Sequence, residues 1–229
     1  MKGPPALSLS GENDHGSPGA PSEETMRRLS LAAILILVSA AAGAAASSSP
    51  RLEKATFAGG CFWCTQHDFE EVPGVFSVTA GYTGGHVVNP TYEQVGTHTT
   101  GHAEAVEVLF DPAKISYRQL LDRFWRLVDP TTADRQFCDW GGVGGPYRSE
   151  IFYHSEAQKR DAEDSLRRIE KIKTFPEPIV TRITPAAVFY RAEEYHQDYW
   201  KKNPIDYHRY RAGCGRDARL RLLWGKTPL

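Results

Sequence analysis

Residues 54–80 read KATFAGGCFWCTQHDFEEVPGVFSVTA, and this stretch parses into three elements. Lys54 to Ala58 suits a strand, which Gly59-Gly60 closes. Phe62 to Glu71 suits a helix, and Pro73-Gly74 stops it. Val75 to Ala80, with its β-branched residues, suits a second strand. A strand, a helix and a strand in direct succession predict helices layered on a sheet.

The chain on the C-terminal side continues the alternation. Gly81 to Gly101 reads as a long loop rich in Gly, Thr, Asn and His. Glu104 to Phe110 is the clearest strand, and Asp111-Pro112 ends it. Ser116-Tyr117-Arg118-Gln119 has the form of a capping box. Leu120, Leu121, Phe124, Leu127 and Val128 then give a helical apolar stripe, which Pro130 terminates. Residues 131–148 form a second, Gly-rich loop. Ile151 to Tyr153 suits a short strand, and Ser155 to Gln158 a second capping box. The helix after it carries Ala162, Leu166, Ile169 and Ile172 on one side. Ile179 to Thr184 and Ala187 to Phe189 suit short strands, Glu193 to Lys201 a short helix, and the remainder a basic, polar tail. There is no internal repeat. The expected class is α/β or α+β, with strand order left open by the sequence.

The segment before this domain is of another kind. Residues 1–25 lack aromatic residues and are expected to be disordered. Met26-Arg27-Arg28, the uncharged stretch Leu29 to Ala46 and its small-residue end Ala44-Ala45-Ala46 have the layout of a secretory signal peptide. Translation is therefore expected to start at Met26. The product is expected to be exported, periplasmic or otherwise extracytoplasmic, with no stable membrane insertion after cleavage. Residues 47–54 read as a linker, and 55–229 as the domain. Three Lys or Arg and four Asp or Glu lie in the first 46 residues, leaving 24 of each sign in the rest. Such a flat balance argues against nucleic acid and anionic membrane surfaces as partners.

All four cysteines, Cys61, Cys64, Cys138 and Cys214, lie in the domain, too few for a disulfide-built scaffold of this size. Cys61 follows two glycines and begins a predicted helix. Free N–H groups and the partial positive charge there stabilise a thiolate. Cys64 lies one turn later. A Cys-x-x-Cys pair forms a disulfide, relays thiol exchange or binds zinc, and the spacing alone does not choose. Zinc needs two more ligands, and Cys138 and Cys214 lack compact spacing. Phe62 and Trp63 suit either a core or a pocket for a small apolar group. Glu104 shares strand parity with Val106, Val108 and Phe110, so its carboxyl is expected to face the packed side. Burial there favours the protonated form, which is a general acid. An isolated Glu of this kind is more often salt-bridged or at an edge. Tyr82 and Tyr147 lie in or beside Gly-rich loops and offer hydroxyl donors, although loop tyrosines usually pack.

Six segments in order resemble the A-type peptide methionine sulfoxide reductases. They are Gly60-Cys61-Phe62-Trp63, Gly81-Tyr82-Thr83-Gly84-Gly85, Asn89-Pro90-Thr91-Tyr92, Thr100 to Ala105, Tyr147-Arg148-Ser149 and Glu194-Tyr195-His196-Gln197. The resemblance implies a two-layer α/β sandwich around a mixed β-sheet with flanking helices and a ferredoxin-like core. It implies reduction of methionine S-sulfoxide, free or in proteins, for repair after oxidative stress, without metal or flavin. Cys61 is then the attacking thiol and Glu104 the acid. Tyr82, Tyr147 and Asp139 hold the sulfoxide oxygen or the Glu, and Phe62 and Trp63 cradle the methyl group. A second Cys condenses with the sulfenic acid on Cys61, and a thioredoxin-like dithiol reduces the product. Cys214, with Gly neighbours in a tail expected to be flexible, ranks first as that second Cys, Cys64 second and Cys138 third. The loop Gly141 to Pro146 is longer than the family's, which bears on Asp139 and Tyr147.

Two rival readings remain. A thioredoxin-like thiol–disulfide oxidoreductase would use Cys61 and Cys64 and dispense with Glu104. A secreted binding domain would use the cysteines for zinc or structural disulfides.

Overall fold

The computed structural model describes residues 51–138 and 145–225. Asp139, most of the Gly141 to Pro146 loop, and the stretches expected to be disordered or a signal peptide lie outside them.

The first half of the domain is β1 (Glu53–Gly59), α1 (Phe62–Glu70), β2 (Val75–Thr83), α2 (Tyr92–Gly96), β3 (Ala103–Phe110) and α3 (Tyr117–Leu127). The second half is β4 (Ser149–Tyr153), α4 (Glu156–Ile172), β5 (Arg182–Pro185), β6 (Tyr190–Arg191), a 3₁₀ turn at Glu194–His196, α5 (Tyr199–Lys202), α6 (Pro204–Gly213) and α7 (Arg216–Trp224). The strands form one sheet in the order β5-β4-β1-β3-β2-β6. Its four central strands, β4-β1-β3-β2, are antiparallel and joined as β-α-β-β-α-β, the expected ferredoxin-like core. β5 pairs parallel with β4, which makes the sheet mixed.

Packing follows from strand alternation. Ala55 and Phe57 of β1 point under the helices, and Phe57 stacks on Phe69 of α1 and Phe124 of α3 at 5.0 and 5.2 Å. Burying a side chain of that size contributes about 1.5–3 kcal/mol. The Trp125 indole N–H donates to Ser165 Oγ at 2.9 Å, tying α3 to α4. On the other face Ala58, Ala103, Ala105 and Phe152 are covered by Ala186 and Phe189. Gly81 is required there, since a Cβ would stand 2.4 Å from the Phe189 ring.

The capping box at Ser116 and Gln119 forms with both of its bonds. The one at Ser155 forms by half. Ser155 accepts from Gln158 N–H, but the Gln158 side chain caps His154 N–H and reaches Lys54 O instead. The loop from Gly81 holds the end of β2 and the short α2, and β1 begins inside the expected linker. The strand expected at Ala187 to Phe189 forms later, at Tyr190–Arg191. The helix expected from Glu193 to Lys201 breaks at Asp198, which adopts φ +53°.

The expected flexible tail is instead two helices, α6 and α7. Arg211 and Arg216 turn inward, and Arg211 Nη1 donates to buried Asp68 Oδ1 at 2.8 Å. Arginines read as surface in a sequence; their burial here depends on a carboxylate 143 residues away.

Candidate active site

Cys61 is the N-cap of α1, and its carbonyl accepts from Thr65 N–H at 3.1 Å. Gly60 before it takes φ +79°, and a Cβ there would stand 2.6 Å from Gln136 Cβ. Only this backbone brings the chain from β1 into the helix at that angle. Cys61 is buried, at 7 % exposure.

Glu104 is 2 % exposed and, as its parity predicts, faces the same side as buried Val106, Val108 and Phe110. Its Oε2 accepts from Phe62 N–H at 3.0 Å, so the carboxyl meets the first turn of α1. Tyr82 lies directly opposite Glu104 in the β2–β3 register, hence on the same face of the sheet. The Tyr82 hydroxyl donates to Glu193 Oε2 at 2.8 Å, and Tyr92 N–H donates to Glu193 Oε1 at 2.9 Å. Burial alone would push the Glu193 carboxyl up, but its own backbone N–H, together with these bonds, holds it below the ordinary range.

Phe62 and Trp63 diverge from the helix start and share one neighbour. Phe62 is buried between Tyr82 and His196, at 5.8 and 4.9 Å. Trp63 stacks on Tyr199 at 3.7 Å, and its indole N–H donates to His196 Nδ1 at 3.0 Å. Tyr147 has its hydroxyl 3.5 Å from that of Tyr210, which hydrogen bonds the Cys61 thiol. Desolvation, with the negative charge of Glu104 behind it, pushes the Tyr147 phenol well up. Desolvation does the same to Tyr210, where Cys61 adds to it. Both hydroxyls therefore stay protonated and remain donors.

The thiols depart from expectation. Burial pushes the Cys61 thiol well up, and Cys64 and Glu104 add to it. Cys64 is lowered to about 7, because it accepts the Cys61 S–H and faces Arg216 and Arg211. The pair thus favours the thiolate on Cys64 over Cys61, whereas helix position alone favoured Cys61. The arginine charges that add to this come from the C-terminal helices.

Cys138 and Cys214 form a disulfide, with Cα atoms 4.8 Å apart. Cys214 and Cys138, ranked first and third as the second Cys, are thus paired with each other. All four cysteines, with Tyr147 and Tyr210, line one cavity of about 10 Å³, barely room for a water molecule. Sequence reasoning did not single out Tyr210, Glu193 or Arg216. His196 and Tyr92 lay within quoted segments but were not singled out.

The chain matches the family described as peptide methionine sulfoxide reductase over residues 53–227. It is 51% identical over 201 residues to the peptide methionine sulfoxide reductase MsrA 2 of Caulobacter vibrioides, covering 87% of this chain and all of that protein. It is 51% identical over 177 residues to the MsrA of Bacillus subtilis, covering 77% of this chain and 98% of the other. Among solved structures, reduced Mxr1 from Saccharomyces cerevisiae superposes with TM-score 0.61 at 32% identity, covering 69% of this chain and 88% of that one. Methionine sulfoxide reductase A of Corynebacterium diphtheriae superposes with TM-score 0.59 at 32% identity, covering 69% and 77%.

Proposed function

The chain belongs to the peptide methionine sulfoxide reductase family, and from that premise we propose how its residues carry the reaction. The enzyme is an oxidoreductase that reduces methionine sulfoxide to methionine. The observation that carries the assignment of roles is the Phe62 N–H bond to Glu104 Oε2, which seats a buried carboxyl at the helix turn bearing Cys61.

Cys61 sulfur attacks the sulfoxide sulfur, and Glu104 gives a proton to the sulfoxide oxygen. The oxygen passes to Cys61, which becomes a sulfenic acid, and methionine leaves. Tyr147 and Tyr210 are protonated donors beside the thiol and suit the oxygen that carries developing negative charge. Phe62 and Trp63 supply apolar surface for the methyl group. A second thiol of the same cavity then condenses with the sulfenic acid, releasing water. A thioredoxin-like dithiol reduces the resulting disulfide. Selectivity for the S epimer is the expectation the resemblance supplies, and neither metal nor flavin takes part in this scheme.

The N-terminal sequence supports export of the mature domain. An exported enzyme needs a dithiol donor on the far side of the membrane, since the cytosolic pool does not reach it. N-terminal sequencing of the mature protein tests this, and an end well before Ala40 would contradict it.

The deciding assay supplies purified enzyme and dithiothreitol with the separate S and R epimers of methionine sulfoxide. Methionine formation from the S epimer is expected, with none by Cys61→Ser. Activity that survives in Cys61→Ser overturns these roles. A thioredoxin-like use of the Cys61–Cys64 pair, which Cys64's lowered pKa would favour, predicts no loss in Glu104→Gln.

A further inference from the structure

Arg216 is the least exposed charged residue of the C-terminal helices, at 1 %. It opens α7 directly after Gly215, which takes φ +67°. Its guanidinium touches three separate segments. Nη1 donates to Gly59 O at 3.1 Å, two residues before Cys61. Nη2 donates to Leu127 O at 2.6 Å, at the end of α3. Its face lies over the Phe137 ring at 4.6 Å, next to Cys138. Arg216 itself is two residues from Cys214, and it lines the cavity where the four cysteines meet.

This is an expensive way to fill space. Taking a guanidinium out of water costs several kcal/mol unless it is well paired. Here Nε has no hydrogen-bond partner, and it stands 3.8 Å from an Asp68 oxygen that has none either. A Leu or Met would occupy the volume at lower cost. What only the planar fork does is bond two carbonyls of different segments while stacking on a third.

Resting on the sulfoxide-reduction scheme above, we propose that Arg216 is a positioning residue for thiol–disulfide transfer, holding the Cys138–Cys214 pair against the Cys61–Cys64 turn. The Cys61–Cys64 pair is the inner dithiol and Cys138–Cys214 the outer one. After attack on substrate, the Cys61 sulfenic acid condenses with the Cys64 thiol, giving the Cys61–Cys64 disulfide and water. In the reduced outer pair the Cys214 thiolate attacks Cys61 sulfur, the Cys61–Cys64 bond breaks, and Cys64 leaves with the electron pair. Cys64 suits that role, since a thiol of lower pKa leaves faster. Cys138 then attacks Cys214 sulfur and Cys61 leaves. The two protons of the outer dithiol end on Cys61 and Cys64. The inner pair is reduced, the outer pair is oxidised, and the disulfide stands where Cys214 also borders a second cleft with Arg135 and Arg219.

The scheme makes the two steps separately countable. Enzyme reduced with dithiothreitol, freed of it and given excess methionine S-sulfoxide should form two methionine equivalents per molecule, one for each dithiol. In Arg216→Met the second equivalent should slow roughly 10- to 100-fold more than the first. Peptide mapping of quenched samples should find Cys61–Cys64 accumulating. Phe137→Leu, which keeps Arg216 and removes the ring beneath it, should slow the second equivalent alone and to a smaller degree. Should Arg216→Met not fold, Phe137→Leu and wild-type mapping still decide, because Cys61–Cys64 must precede Cys138–Cys214 in wild type. Equal slowing of both equivalents in both variants, or wild-type rates for both, overturns the proposal, as does a Cys61–Cys64 bond that never forms. No first equivalent in wild type would instead refute the sulfoxide-reduction scheme.

Discussion

Phe62 offers its backbone N–H to Glu104 Oε2 at 3.0 Å, so the carboxyl and the Cys61 thiol share one helix terminus. The two groups come from residues 43 positions apart, joined by the β2–β3 hairpin. That bond turns one carboxyl oxygen toward the helix. Glu104→Gln keeps an oxygen acceptor for Phe62 N–H while removing the transferable proton. The expected loss in kcat/KM for the S sulfoxide is roughly 100-fold or more, with thermal stability little changed. A loss of only a few-fold would remove Glu104 from the acid role.

The thiol pair makes a pH prediction. Cys64 is lowered to about 7 by the Cys61 S–H and by Arg216 and Arg211. One thiolate per molecule should therefore be half formed near pH 7, below the ~8.5 of a free thiol, and be lost as pH falls further. Ultraviolet thiolate absorbance measures it. Cys64→Ser should abolish this transition, and Cys61→Ala, lacking the S–H donor, should move it upward. A transition that persists in Cys64→Ser would place the charge on Cys61 after all.

Gly60 stands in the left-handed region, and the nearest atom to an added Cβ is Gln136 Cβ. Gln136 cannot swing away freely, because it caps Asp129 N–H at 2.8 Å and donates to Asp129 O at 2.7 Å. Gly60→Ala should cost about 1–3 kcal/mol of stability from backbone strain. It should also displace Cys61, with activity falling more than stability. Urea titration beside a rate assay separates the two, and unchanged values in both would show that the turn is not constrained.

Asp68 is buried under Cys64 and bonded to Arg211 at 2.8 Å. Burial opposes its charge, but His67, Arg211 and Arg216 hold its carboxyl below the usual range. A depressed carboxyl stabilises the fold fully above its unfolded value, near pH 4, and the contribution is lost as pH falls through the folded value. Asp68→Asn should lose roughly 3 kcal/mol at pH 6 and much less at pH 3. Unfolding free energies at the two pH values check it; an equal loss at both would mean the pair contributes no charge-dependent stability.

The sequence by itself determined the elements and the first reacting group. Alternation along Glu104 to Phe110, the stripe from Leu120 to Val128 and the Gly-Gly-Cys entry to α1 are local patterns. Local patterns survive translation into structure because strand and helix periods are set by the backbone. The ferredoxin-like core and the pairing of Cys61 with Glu104 came from the resemblance carried by the quoted motifs, not from these patterns.

What only the tertiary structure decided was which groups face one another across long separations. Cys138 and Cys214 are partners 76 residues apart, so neither is a lone candidate. The expected tail is a pair of helices because Arg211 finds Asp68 and Arg216 finds Gly59 O and Leu127 O. The Cys64 thiol is lowered by the Cys61 S–H first, and then by those arginines, which approach its side of the pair. Charge, burial and hydrogen bonding at a site are sums over neighbours in space, and a one-dimensional pattern holds no record of neighbours brought in from another element. The helix terminus under Cys61 was legible from two glycines; the electrostatics around it came from residues 150 positions away.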